Sequence, residues 1–94
     1  MVIGVLTVAL HIPVSNSLKE KRRVVSGLKS RMAAAFNVSV AEVDAQDQWQ
    51  KAVLAFVHVG VSKPVVNSAL DRMRAYVEAY HAASLLDYEM ELIA

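Results

Sequence analysis

The chain has 94 residues, a formal net charge of +1 and no cysteine. A chain of this length forms one domain, spanning residues 1–94, with a modest core. The lack of cysteine excludes disulfides, thiolate catalysis and cysteine-ligated zinc, so we expect a cytoplasmic protein. The apolar start, MVIGVLTVALHIP, lacks a basic leader and the ~20 apolar residues of a membrane span, so we read no targeting segment and expect no membrane partner.

The first predicted element is a strand from Val2 to Ile12, rich in β-branched residues and apolar on both of its alternating faces. Pro13 ends the strand, because proline has no amide hydrogen for the ladder. Ser17 then predicts a helix N-cap, and Glu20 is placed to accept a hydrogen bond from the Ser17 amide as in a capping box. A helix is therefore predicted from Leu18 to about Phe36.

Two more strands, a helix and a last strand follow. The segment from Val38 to Ala45 alternates as an edge strand, QDQ is a turn, and the segment from Trp49 to Val61 is again apolar on both faces. Ser62, with Pro64 in the first turn, opens the second helix. SLLDYEMELI alternates as a half-buried strand.

The order strand, helix, strand, strand, helix, strand predicts an α+β fold of the ferredoxin-like type. This split βαββαβ sandwich has a four-stranded antiparallel sheet and two helices on one face. Right-handed crossovers place the first and third strands at the centre, which fits their two apolar faces. We expect these residues in or bordering the core: Leu6, Val8, Leu10, Leu28, Met32, Leu70, Met73, Val77, Tyr88 and Leu92.

Positive charge is concentrated in the predicted first helix. The segment SNSLKEKRRVVSGLKSR, residues 15–31, has six basic residues and one acid, whereas residues 32–94 have four basic residues and eight acids. A solvated helix face is the plain alternative, but such a face normally mixes acids with bases, and early Lys or Arg residues oppose the helix dipole. Lys21 lies near the core edge, where we expect its charged end to snorkel to solvent. We predict a polyanion-binding surface formed by Lys19, Arg22, Arg23 and Lys29.

Other candidate sites are weaker. His11 and His58 lie on neighbouring central strands and could approach each other, but without a third ligand they make a poor zinc site, so we expect no metal. Asp44 and Asp47 are typical turn residues without a partner nucleophile. Trp49 is interpreted as a lid over the end of the core rather than an exposed anchor. With no glycine-rich phosphate loop, we expect no cofactor, no small-molecule substrate and no enzymatic activity.

The open face of the sheet has two predicted properties. RNA-recognition modules stack bases on aromatic residues of the central strands, but here Asp87, Glu89 and Glu91 of the last strand would face the same side and repel phosphate. The remaining surface is predicted to be apolar, and a homodimer would bury it. The predicted oligomer interface consists of Ile3, Val5, Leu54 and Phe56.

Two stretches of the chain are distinctive: SLKEKRR in the first helix and NVSVAEVDAQDQWQ around the second and third strands. Through them the chain resembles, over essentially its whole length, the bacterial YlxP-like family of small ferredoxin-like proteins of unknown function. Genes of that family commonly lie beside translation-initiation and ribosome-maturation genes, so the resemblance implies a role near RNA or the ribosome. It supplies no catalytic residues.

These observations lead to two functional hypotheses, and to a third class, an enzyme or small-ligand binder, which would need a polar pocket that the sequence does not suggest. The first is a non-enzymatic accessory protein that contacts RNA or the ribosome through its basic first helix. The alternative is a structural or regulatory interaction module that acts as a homo-oligomer through its sheet face.

Overall fold

Six regular elements follow one another along the chain. A computed structural model describes residues 1–13 and 16–94. The elements are β1 (Val2–His11), α1 (Leu18–Ala35), β2 (Ser39–Asp44), β3 (Lys51–Gly60), α2 (Lys63–Glu78) and β4 (Ser84–Ile93). Every predicted element is present, and the predicted bounds of the strands and of the first helix differ from these by no more than two residues.

The four strands form one antiparallel sheet in the order β2-β3-β1-β4. β1 pairs with β3 along its whole length, from Val2 opposite Gly60 to His11 opposite Lys51, and with β4 on its other side. The first and third strands are therefore central, as predicted. Both helices pack their buried residues into one cluster on the same face of the sheet. This arrangement confirms the ferredoxin-like α+β fold.

Each helix begins at a serine cap. Ser17 Oγ accepts a hydrogen bond from the Glu20 amide at 3.1 Å, and Ser62 Oγ accepts one from the Val65 amide at 3.4 Å. The Glu20 carboxylate accepts a hydrogen bond from the Asn16 amide at 2.8 Å. Because the first amides of a helix have no partner within it, these bonds determine where α1 and α2 begin.

The core lies between the sheet and the two helices. Side chains of a strand alternate between its faces, so β1 and β3 each contribute every second residue to the core. The predicted core residues that are fully buried there are Leu6, Val8, Leu10, Leu28, Met32, Leu70, Met73 and Val77.

α2 lies close to the sheet where Val66 meets two glycines. A Cβ atom added at Gly4 would lie 2.5 Å from Val66 Cγ1, and one added at Gly60 would lie 2.6 Å from Val66 Cγ2. Neither glycine has a positive φ, so what they provide is space rather than an unusual conformation. The two glycines of the central strands thus leave the space that the fully buried Val66 side chain occupies.

The outer strand β4 borders this core incompletely. Leu92 is half-buried against the core cluster, whereas Tyr88 is 44% exposed because β4 is an edge strand. The Tyr88 ring contacts the Arg74 guanidinium, which lies 5.3 Å from the ring centroid. Arg74 donates a hydrogen bond to the Glu78 carboxylate at 2.7 Å, and this bond raises the pKa of Arg74 above its usual value. Tyr88 therefore borders the surface of α2 rather than the core.

Candidate functional site

The basic side of α1 faces away from the sheet, because the apolar stripe of the helix is buried against the core. Three of the four predicted polyanion-binding residues are exposed: Lys19, Arg22 and Arg23. The fourth, Lys29, is half-buried. None of the four forms an ion pair with another residue that the structure describes. We call these four residues the basic stripe.

Lys21 does not share the exposure of the basic stripe. Its side chain is 1% exposed, its ammonium donates a hydrogen bond to the Ala45 carbonyl, and Nζ lies 2.9 Å from Glu42 Oε2. The prediction that its charged end reaches solvent is wrong, because these acceptors on β2 and after it hold the ammonium inside. Lys21 therefore connects α1 to the edge of the sheet.

A cleft of about 250 Å³ opens between α1 and the β2 edge. Arg22 and Lys29 line it from the helix, and Gln46 lines it from the turn after β2. Glu42 lines it as well, and its buried Oε2 has the Lys21 ammonium nearby but no well-oriented hydrogen bond within the described residues. Two cations beside a side-chain amide suit an anionic group at the mouth of this cleft.

The turn between β2 and β3, residues 45–50, is held in a defined conformation. Ala45 has a φ of 61°, which is uncommon for a residue with a Cβ atom. Its amide donates to Asp44 Oδ1 at 2.7 Å, and its carbonyl accepts from the Lys21 ammonium and from the Gln48 amide. Asp44 is the last residue of β2, and its carboxylate binds the first amide of the turn.

Trp49 is not a lid over the core. Its side chain is 54% exposed and lies outside the buried cluster. It lines an open recess of about 690 Å³ together with His11 and Lys51, which pair with each other across β1 and β3. The lid prediction is wrong because β3 begins only at Lys51, which leaves the indole beyond the end of the sheet.

The two histidines of the central strands are far apart. His58 pairs with Gly4, whereas His11 pairs with Lys51 at the opposite end of β1. Seven residues of strand correspond to roughly 23 Å, so the expectation that the two imidazoles approach each other is wrong. His58 Nδ1 instead lies 2.8 Å from the Asn37 carbonyl oxygen. In the part of the chain that the structure describes, no group of three or more potential metal ligands comes together.

The open face of the sheet has an apolar centre. Ile3 and Val5 lie on it, as predicted, but Leu54 and Phe56 are 0% exposed and belong to the core. The prediction for these two residues is wrong, because every residue of this part of β3 is apolar and only the register with β1 decides which ones face the helices. The β3 residues on the open face are the alternate ones: Val53, Ala55, Val57 and Val59.

β4 adds a row of carboxylates to the open face. Asp87, Glu89 and Glu91 are exposed and pair with the residues of β1 that face this side. The helices cover the other side of the sheet. The basic stripe and this acidic row therefore face opposite directions.

Sequence reasoning missed the Trp49 recess and the cleft beside Lys21. For the recess a signal existed, since a tryptophan between two glutamines, in QWQ, has no apolar neighbour in sequence to bury it with. For the cleft no signal existed, because it depends on how closely β2 approaches α1.

Among the helices that the structure describes, neither is long and apolar enough to cross a membrane.

Comparisons with known proteins give three results. The model of a family described as protein of unknown function, DUF503, matches residues 3–90. The uncharacterized protein YlxP of Bacillus subtilis (strain 168) is 33% identical over 66 residues, which are 70% of this chain and 72% of that protein. The de novo designed protein Foldit4 matches with a TM-score of 0.54 and 10% identity, over 100% of this chain and 98% of its own. At that identity the designed protein shows a shared fold alone.

Proposed function

Since the chain belongs to the DUF503 family, whose description gives no function, we propose one from its own surface: a non-enzymatic accessory protein that binds RNA through the basic stripe. The observation that carries this proposal is that Lys19, Arg22, Arg23 and Lys29 lie together on one side of α1 without acidic partners among residues 1–13 and 16–94. The proposal includes a cytoplasmic location, where ribosomal RNA is abundant.

The chemistry of such a surface is simple. Lys and Arg side chains neutralise phosphates and release the counterions that were condensed on the RNA, so binding is salt-dependent and does not read sequence. Four phosphate contacts correspond to a slope of roughly −3 to −4 in a plot of log affinity against log salt concentration. The acidic row on β4 faces the opposite direction, so it does not oppose phosphates bound at α1.

Charge reversal tests the proposal. The variant Arg22→Glu/Arg23→Glu and the control Lys63→Glu/Arg72→Glu, whose sites are exposed on α2, each lower the formal net charge by four, from +1 to −3. We expect the α1 variant to lose binding to a labelled ribosomal RNA fragment, measured by fluorescence anisotropy, and the α2 control to keep most of it. Equal losses in both variants, or unchanged binding in the α1 variant, would refute a specific role of the basic stripe.

A second candidate function is self-association, and the open sheet face favours it. Three strands of ten residues and one of six, about 4.8 Å apart, cover roughly 570 Å², so two such faces would bury about 1,150 Å². That area is at the lower end of the range for specific interfaces, which corresponds to a weak dimer of two copies of this chain.

The acidic row restricts how two copies can meet. A two-fold axis perpendicular to the strands would put β4 of one copy opposite β4 of the other, so that carboxylates face carboxylates. An axis parallel to the strands places β4 opposite the β2 edge, where Ser39 and Ala41 are uncharged and Asp44 is the one carboxylate in register with the open face. This arrangement opposes fewer carboxylates and brings the apolar centres together. The proposed dimer therefore has its axis along the strands.

A further inference from the structure

Trp49 is the sole tryptophan of the chain, and the residue is 54% exposed. Tryptophan is buried to a high degree on average in folded proteins, because its indole carries a large apolar area. Exposure of this extent at a fixed position makes the indole available to a ligand. The basic stripe does not account for it.

The turn that carries Trp49 is held at both ends. At its start, Ala45 is bonded to the Lys21 ammonium and to Asp44. At its end, the Gln50 carbonyl accepts a hydrogen bond from the Ile12 amide at 2.9 Å. The indole is therefore presented on an ordered segment, and a ligand that contacts it has little backbone to immobilise.

The same turn separates the recess from the cleft beside the basic stripe. Gln46 lines the cleft with Arg22 and Lys29, and the next residue, Asp47, lines the recess with Trp49. A polyanion whose phosphates lie on the basic stripe would therefore pass around this turn to reach the indole, on the side of the sheet where His11 and Lys51 lie.

We infer that Trp49 stacks on an unpaired base of the RNA that α1 binds, so that the RNA is single-stranded where it crosses the turn. This inference rests on the proposed function and adds the class of RNA to it. The recess offers an aromatic face, side-chain amides and the Asp47 carboxylate, so it suits a base rather than a phosphate, which the carboxylate repels. Lys51 also lines the recess and supplies a cation for the next phosphate.

The sole tryptophan is also the probe. A short oligouridylate, which has unpaired bases, is expected to quench the Trp49 fluorescence, whereas an RNA duplex of the same length is not. By anisotropy of labelled RNA, Trp49→Ala is expected to bind the oligouridylate about tenfold or more weakly, Trp49→Phe to keep most of the affinity, and both to bind the duplex like the wild type. Because Trp49 lies outside the core, neither variant should change the thermal midpoint much.

The two proposals fail in different ways. If Arg22→Glu/Arg23→Glu loses both RNAs while Trp49→Ala binds the oligouridylate like the wild type, the stacking inference is overturned and the proposed function stands. If the wild type binds neither RNA, both are overturned. If the Trp49 fluorescence changes with protein concentration but not with added RNA, then Trp49 contacts a second copy of the chain. That result likewise overturns the inference.

Discussion

The Lys21 ammonium lies 2.9 Å from Glu42 Oε2 and donates a hydrogen bond to the Ala45 carbonyl, so one buried side chain joins α1, β2 and the turn that carries Trp49. Desolvation of a buried ion pair offsets most of its Coulombic attraction, so the pair as a whole contributes little to net stability. Removing one partner is costly, however, because it leaves the other charge uncompensated.

Replacing Lys21 alone should therefore destabilise the protein more than replacing the pair. Breaking a fully buried pair costs about 3–5 kcal/mol, and for Lys21→Met we expect about 2–3 kcal/mol because Glu42 keeps some contact with water. Lys21→Met/Glu42→Leu should recover at least half of that loss, since it leaves no unpaired carboxylate. Urea unfolding of both variants measures these free energies. A double variant as unstable as the single one would show that the pair has no role beyond packing.

The close packing of Val66 against Gly4 leads to a second prediction about stability. Gly4→Ala places a methyl group where Val66 Cγ1 already lies, and we expect a cost of about 2 kcal/mol in the free energy of unfolding. In a Val66→Ala background the same change should cost less, because the nearest obstructing methyl is gone and only the Leu70 methyls, at 3.1 and 3.2 Å, still crowd the new Cβ. Chemical denaturation of the four proteins of this double-mutant cycle gives the coupling. If Gly4→Ala costs the same in both backgrounds, the two residues do not compete for space.

Alternation and capping were enough to predict this fold. The serine caps at Ser17 and Ser62 and the period of each apolar pattern place both helices and all four strands, because each signal depends on residues close in sequence. The order of the strands then follows from the handedness of the crossovers, which is nearly invariant. The basic stripe was predictable for the same reason, since it lies on one continuous helix.

The faces of β3 were not predictable in this way. Leu54 and Phe56 alternate with Val53 and Val57, and both sets are apolar, so the sequence contains no preference for either face. The pairing of β3 with β1 decides the matter by placing Phe56 opposite Leu6 in the core. The predicted exposure of the Lys21 ammonium and the predicted burial of Trp49 were wrong for a related reason. Their burial depends on where β2 and the following turn pack, which is a contact between segments distant in sequence.

The open sheet face predicts a concentration-dependent dimer. We expect the wild type to associate weakly, at micromolar concentration or above, and Val57→Glu to remain monomeric because it places a carboxylate at the centre of the interface. Val65→Glu is the matched control, because Val65 is 55% exposed on α2, away from the sheet face. Sedimentation equilibrium measures the association. A wild type that stays monomeric at about 100 μM, or a control that dissociates as Val57→Glu does, would exclude this interface.

Lys19 gives a prediction in which stability and RNA binding change in opposite directions. Lys19 is the second residue of α1, where a positive charge opposes the helix dipole and where Arg23 lies four residues ahead as a like charge. Lys19→Glu should therefore stabilise the protein by about 0.5 kcal/mol at low salt, which raises the thermal midpoint by about 2–4 °C, and it should weaken RNA binding.

Lys63 is the matched position, since it is the first residue of α2 and is exposed outside the basic stripe. Lys63→Glu should raise the thermal midpoint by a similar amount, because it meets the same dipole, and leave RNA affinity nearly unchanged. Differential scanning calorimetry and RNA anisotropy on the two variants measure both effects, and added salt should remove the gain in stability. If Lys19→Glu gains stability without losing affinity for RNA, then Lys19 is an ordinary solvated residue and the basic stripe begins at Arg22.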